Sequence, residues 1–167
     1  MRLFPGELYA AAEALLRDFG ELDLRLATVE SCTGGLLTGL LTEVPGSSRV
    51  VDRGFVTYSN EAKIDLVGVD PVVLMAHGAV SRQVAIAMAQ GALDHSEADV
   101  AIAITGVAGP DGGSDAKPVG LVHLAAVRRG GEAQAIEQRY GPIGRQAIRL
   151  AAVTDALQLM RTQLQSS

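Results

Sequence analysis

Asp99 to Thr105, DVAIAIT, is a run of small apolar residues with no polar alternation. A strand exposed on one face alternates. A run like this one belongs to a strand buried on both faces, in the middle of a largely parallel sheet covered by helices. It ends in Gly106-Val107-Ala108-Gly109-Pro110-Asp111-Gly112-Gly113-Ser114, with four glycines in the eight residues 106–113. That segment cannot hold a helix and is costly to order, so it reads as a binding loop at the end of the central strand.

The flanking patterns fit the same plan. Leu8, Ala12, Leu15, Leu16 and Phe19 form the stripe of a one-faced helix that stops at Gly20. Residues 24–30 read as a strand, Ser31-Cys32-Thr33-Gly34-Gly35 as a turn, and the stretch to Glu43 as a helix. A strand over 54–58 leads to Ser59-Asn60-Glu61, a helix start that places Lys63 in the first turn. Asp70-Pro71 opens a helix closed by Gly78, and Ser81 opens another with Val84, Ala85, Met88 and Ala92 on one face. Strands over 119–127 and 133–140 flank Gly130-Gly131, a hairpin turn, and a last helix runs from Ile143 to Leu164. The expected fold is a three-layer α/β/α sandwich with a mixed, mostly parallel sheet, in a single domain over residues 1–167.

Composition narrows the function. The chain is 48% hydrophobic but only 4% aromatic, so its core packs small side chains. A formal charge of −5 argues against a nucleic-acid surface, while leaving room for a local basic pocket that takes one phosphate. Cys32 is the one cysteine, which allows neither an internal disulfide nor a cysteine zinc cage and suits a reducing compartment. The N-terminus lacks the apolar core of a secretory signal, and the apolar run around Leu36–Leu41 is far too short to span a bilayer. We therefore expect a cytoplasmic protein without membrane contact.

Ser31 stands where a strand feeds a glycine-bearing turn into a helix. Free amides and the positive end of a helix dipole meet there, an arrangement suited to a developing oxyanion. The plainer alternative is that Ser31 or Thr33 caps the helix. Cys32 is a rival nucleophile, or simply a small buried hydrophobe. A hydroxyl nucleophile needs a base, and a lysine at its ordinary pKa of about 10.4 is only about 1/2500 neutral at pH 7. Lys63 could serve after burial, or stay charged to orient Tyr58 or hold a phosphate. Tyr58 and Lys63 are five residues apart, not the four of a one-faced Tyr–Lys pair, and no G-x-G-x-x-G follows the first strand, so a nicotinamide redox role is disfavoured. Thr105 ends the central strand, where open α/β sheets place ligands. His77, His95 and His123 have no metal-ligand spacing, so neither a metal nor a cofactor is expected.

Five blocks in order carry a resemblance: TVESCTGG at 28–35, YSNEAK at 58–63, GAVS at 78–81, ITGVAGPDGG at 104–113 and KPVG at 117–120. Over nearly the whole chain they resemble the C-terminal domain of CinA-type competence/damage-inducible proteins and the stand-alone nicotinamide-nucleotide amidohydrolases. The resemblance implies hydrolysis of the carboxamide of nicotinamide mononucleotide to the nicotinate form and ammonia. Its serine maps to Ser31, its tyrosine to Tyr58 and its lysine to Lys63. Thr33, Gly34 and Gly35 would hold the oxyanion side. Thr105, Gly106, Gly109, Gly112, Gly113 and Arg145 would bind the ribose phosphate. Arg145 is the match for a family arginine, although Tyr140-Gly141-Pro142-Ile143-Gly144-Arg145 carries an added proline-containing stretch. Longer CinA proteins have an N-terminal domain, so this chain looks like the free-standing form. A homodimer or higher homo-oligomer is expected from the family and from the small apolar helical faces. The alternative activity class is a non-catalytic nucleotide-binding or regulatory module. A pyrophosphatase is disfavoured for want of a carboxylate cluster to hold Mg²⁺.

Overall fold

The computed structural model describes residues 2–165. Its elements are α1 (Gly6–Glu21), β1 (Leu26–Glu30), α2 (Leu36–Glu43), β2 (Val51–Val56), α3 (Asn60–Val67), α4 (Pro71–His77), α5 (Arg82–Asp94), β3 (Val100–Gly106), β4 (Leu121–Arg128), β5 (Gln134–Arg139) and α6 (Arg145–Gln163). A single 3-10 turn, Ser47–Arg49, precedes β2. The five strands lie in the order β2-β1-β3-β4-β5. β1 is parallel to both β2 and β3, whereas β4 pairs antiparallel with β3 and with β5. Four of the five strands thus run one way and β4 alone opposes them. Helices cover both faces, giving the three-layer α/β/α sandwich.

The two faces are built differently because β3 alternates large and small side chains. Val100, Ile102 and Ile104 point into a core with α1, α2 and α6, joined there by Phe19, Leu40 and Met160. Ala101 and Ala103, with Ala125 of β4, face α5 and meet Ala85, Met88, Ala89 and Ala92. Leucine and isoleucine fill one layer, and methyl groups let α5 approach the other closely. Among the described residues no helix is long and apolar enough to cross a membrane.

Two element boundaries differ from expectation in ways that matter. The second strand begins at Val51 and ends at Val56, not over 54–58, so Tyr58 lies in the connection to α3. β2 is an edge strand with exposed Arg53, Gly54 and Val56, and it lacks the apolar alternation that announces a half-buried strand. The last helix starts at Arg145, leaving Ile143 exposed before it.

Candidate active site

β1 lies between its two parallel neighbours. From it the chain turns one way through α2 to β2, then crosses to β3 through α3, α4 and α5. Open α/β sheets bind ligands at such a reversal, beyond the carboxyl ends of the strands. Ser31 is the first residue past β1. Its amide donates to the Ile104 carbonyl of β3 at 2.9 Å, and the Thr57 amide donates to the Glu30 carbonyl at 2.8 Å. Ser31 is therefore pinned between the ends of two neighbouring strands.

The turn after Ser31 is organised by a carboxylate. Glu30 is fully buried. It accepts from the Thr33 hydroxyl at 2.6 Å, the Leu37 amide at 2.9 Å, the Thr38 amide at 3.1 Å and the Thr38 hydroxyl at 2.9 Å. A negative charge at a helix N-terminus is favourable, and here it takes up amides that the helix itself leaves unpaired. Arg149 of α6 clasps the same turn, donating to the carbonyls of Cys32 and Thr33 at 3.1 Å each. On the other side, Thr28 and Thr38 share a hydroxyl hydrogen bond of 2.6 Å. Gly54 of β2 passes so near that a Cβ would lie 2.6 Å from the Thr38 hydroxyl oxygen.

Lys63, in the first turn of α3, is 1% exposed. Its Nζ lies 3.2 Å from Ser31 Oγ and donates to the carbonyls of Thr57 at 2.8 Å and Ser59 at 3.4 Å. Among the described residues it forms no ion pair with a carboxylate. Burial without a counter-ion lowers its pKa below the ordinary lysine value. A neutral amine would reach the two carbonyls with its two N–H bonds and keep its lone pair for the Ser31 proton. An ammonium would spend its third proton on Ser31 Oγ instead. The pair can therefore exchange one proton without moving.

A cleft of about 300 Å³ opens over this pair. Ser31, Tyr58 and Lys63 line it together with Thr105, Gly106, Gly109, Gly112 and Arg145. Arg145 spans its mouth, donating to the Gly109 carbonyl at 2.7 Å and to the Tyr58 hydroxyl at 3.1 Å. Tyr58 is 61% exposed and stands at the rim with Arg145, without a hydrogen bond to Ser31 or Lys63. Thr105 is buried and donates to the Ala79 carbonyl at 2.8 Å, which ties the wall at Ala79–Val80 to the end of β3.

Four expected binding residues lie elsewhere. Thr33 is fully buried with its hydroxyl on Glu30, and Gly34 and Gly35 belong to the turn beneath the site, so none of the three lines the cleft. Of the turn amides expected to hold an oxyanion, that of Gly34 donates to the Ser31 carbonyl at 3.0 Å, and the next free helix amides, at Leu37 and Thr38, are occupied by Glu30. Gly113 packs on the backbone of Val119, where a Cβ would come within 2.9 Å of the amide nitrogen. Cys32 does touch the cleft, but burial pushes its thiol up to about 11, so a thiolate is scarce at neutral pH.

Glu30, Asn60, Ala79, Val80 and Arg149 shape or support the site, and sequence reading passed over them. Two signals were available. Glu30 is a carboxylate ending a buried strand just before a helix, and Arg149 lies one helical turn beyond Arg145. Among the described residues, no three His, Cys, Asp or Glu side chains gather as a metal-binding set.

The family model described as the CinA C-terminal domain matches residues 8–164. A CinA-like protein of Mycobacterium marinum is 51% identical over 142 residues, 85% of this chain and 33% of that protein. A CinA-like protein of Akkermansia muciniphila is 52% identical over 120 residues, 72% of this chain and 29% of its own length. The chain thus spans a third or less of the curated relatives it matches. The crystal structure of the competence/damage inducible protein CihA from Agrobacterium tumefaciens superposes with a TM-score of 0.95 at 55% identity, covering 99% of this chain and 100% of that one. A CinA superfamily protein from Klebsiella pneumoniae gives 0.89 at 34% identity, covering 94% and 97%.

Proposed function

The chain belongs to the CinA C-terminal domain family, and we propose that its cleft hydrolyses the carboxamide of nicotinamide mononucleotide to nicotinate mononucleotide and ammonia. The observation that carries this reading is the buried Lys63 Nζ, without a carboxylate partner among the described residues, 3.2 Å from Ser31 Oγ. A structural lysine at that depth would be paired. An unpaired one, oriented by two carbonyls toward a hydroxyl, is what an amidase of the serine type needs.

In this mechanism neutral Lys63 takes the Ser31 proton as Oγ attacks the carboxamide carbon. The new C–O bond yields a tetrahedral adduct. Its charge falls to groups on the cleft wall, since the amides of Leu37 and Thr38 are committed to Glu30. Collapse expels the amide nitrogen as ammonia. Its proton comes from the Lys63 ammonium, directly or with the Tyr58 hydroxyl as a relay that gives one proton and takes up that of Lys63, so Lys63 ends neutral and Tyr58 unchanged. Water then cleaves the acyl ester, with Lys63 again as base. Gly106, Gly109, Gly112 and Arg145 would receive the ribose phosphate, the guanidinium trading its bond to the Gly109 carbonyl for a stronger one to the dianion.

The test is ammonia release from nicotinamide mononucleotide in the presence of a chelator. Ser31→Ala should lose more than about a thousandfold in kcat, roughly 4 kcal/mol of transition-state stabilisation, while Cys32→Ala stays close to the parent. Saturable nucleotide binding without any turnover in the parent protein would instead make this a binding module.

A further inference from the structure

A second depression, of about 240 Å³, shares Val80 with the cleft but opens on the other side of the 78–81 segment. The proposed deamidation does not use it. Arg82, Lys117 and Arg139 line it, together with His77, His123 and a single carboxylate, Glu137. In a chain whose formal charge is −5, three cations against one anion is a local reversal of sign. The cations come from three different places: the first turn of α5, the loop between β3 and β4, and β5. Their convergence is a product of folding and not of a charge run.

His123 singles this depression out from an ordinary basic surface. It sits on β4, paired across the strands with Thr105 of the cleft, and it is 9% exposed. Its nearest charged partner is Glu137, at 3.7 Å from Nε2, beyond hydrogen-bonding distance, and it makes no hydrogen bond among the described residues. Thr57 Oγ1 is the one buried side-chain polar atom without a partner among the described residues, so the His123 ring nitrogens meet solvent at the depression and are open to a ligand there. Burial lowers its pKa; Glu137 opposes this, while Lys117, Arg139 and Arg82 reinforce it. Those three cations therefore act on the imidazole itself. The start of α5 adds to the field. Ser81 caps the Val84 amide, while the first-turn residues Arg82 and Gln83 line the depression.

We propose that this depression binds the dianion of a phosphate monoester or of inorganic phosphate, seated among Arg82, Lys117 and Arg139 against the imidazole of His123. The anion replaces solvent as the acceptor for His123, and the imidazole takes up a proton as it binds. Lys117 donates to the His77 carbonyl at 2.5 Å, so an anion here also bears on the end of α4 and the segment that walls the cleft. The site is additional to the ribose-phosphate position proposed within the cleft and does not depend on it.

The test follows the His123 ring protons by NMR as a function of pH, assigned with His123→Asn, at constant ionic strength with and without inorganic phosphate. Phosphate should raise the His123 pKa saturably. In the double variant Arg82→Gln, Arg139→Gln, affinity should fall at least about tenfold, as loss of charge-assisted hydrogen bonds requires. In Arg145→Ala, whose lesion lies in the cleft, the shift should persist. A nucleoside 5′-monophosphate acting at lower concentration than phosphate would identify a nucleotide ligand; equal potency would identify free phosphate. A His123 titration blind to both anions, or moved equally in the double variant, overturns the proposal. Because the readout needs no turnover, it stands apart from the fate of the deamidase reading.

Discussion

The turn after β1 and the loop after β3 both leave the carboxyl end of a parallel strand, yet they are held in opposite ways. The first is five residues long and anchored from beneath, with Glu30 taking four hydrogen bonds and Arg149 giving two. The second, residues 107–120, closes on itself through bonds such as Gly120 amide to Val107 carbonyl at 2.8 Å. Its ends are held by the Tyr140 amide on the Gly120 carbonyl at 2.9 Å and by Ala108 and Val119 in the core, and its outer part by two long cations, Arg145 at Gly109 and Lys117 at the His77 carbonyl. The reactive oxygen rides on the rigid element. The binding wall rides on one whose anchors an anion can compete for.

The sharpest way to break this contrast is to remove the base beside the rigid turn. Lys63→Met should lower kcat/KM by about a hundredfold to ten-thousandfold. It should also raise the melting temperature at pH 7. Burial lowers the Lys63 pKa in the folded state, so between that value and the unfolded one the unfolded chain binds more protons and stability rises with pH. Removing the lysine removes that penalty, and the advantage of the variant should vanish above the unfolded pKa of about 10.4. Melts at both pH values check it.

Next in size is the anchor itself. Glu30→Gln leaves the shape but replaces one acceptor oxygen with a donor facing the turn, and should cost about 3 kcal/mol in a denaturant titration, with activity falling alongside. The smallest effect should come from the loop. Arg145→Ala should raise KM for the nucleotide about tenfold and leave the denaturation midpoint within error, because its bonds lie at an exposed rim. A loss of stability in Arg145→Ala as large as that in Glu30→Gln would erase the distinction between the two elements.

The sheet was legible because DVAIAIT has the pattern of a central strand, and Ser31 was legible because a strand, a glycine pair and a helix meet there. Lys63 was not. Nothing in YSNEAK distinguishes an exposed lysine from a buried one. What buries it is the β1–β2 register, Glu30 opposite Val56, which sets the first turn of α3 over Ser31. The turn glycines were read as ligand contacts because the free amides of a helix start invite an anion. The anion turned out to be intramolecular, the side chain of Glu30. Position along the chain shows where such amides lie, but only packing shows what occupies them.

The alanine face of β3 has a consequence for the width of the cleft. α5 rests on Ala101, Ala103 and Ala125, and the residues just before it, Ala79 and Val80, form a cleft wall fastened to Thr105. The aperture that a substrate meets is therefore gauged by single methyl groups at the far side of a helix. Enlarging any of them acts as a shim under that wall, so substrate size can be tuned at positions no substrate touches.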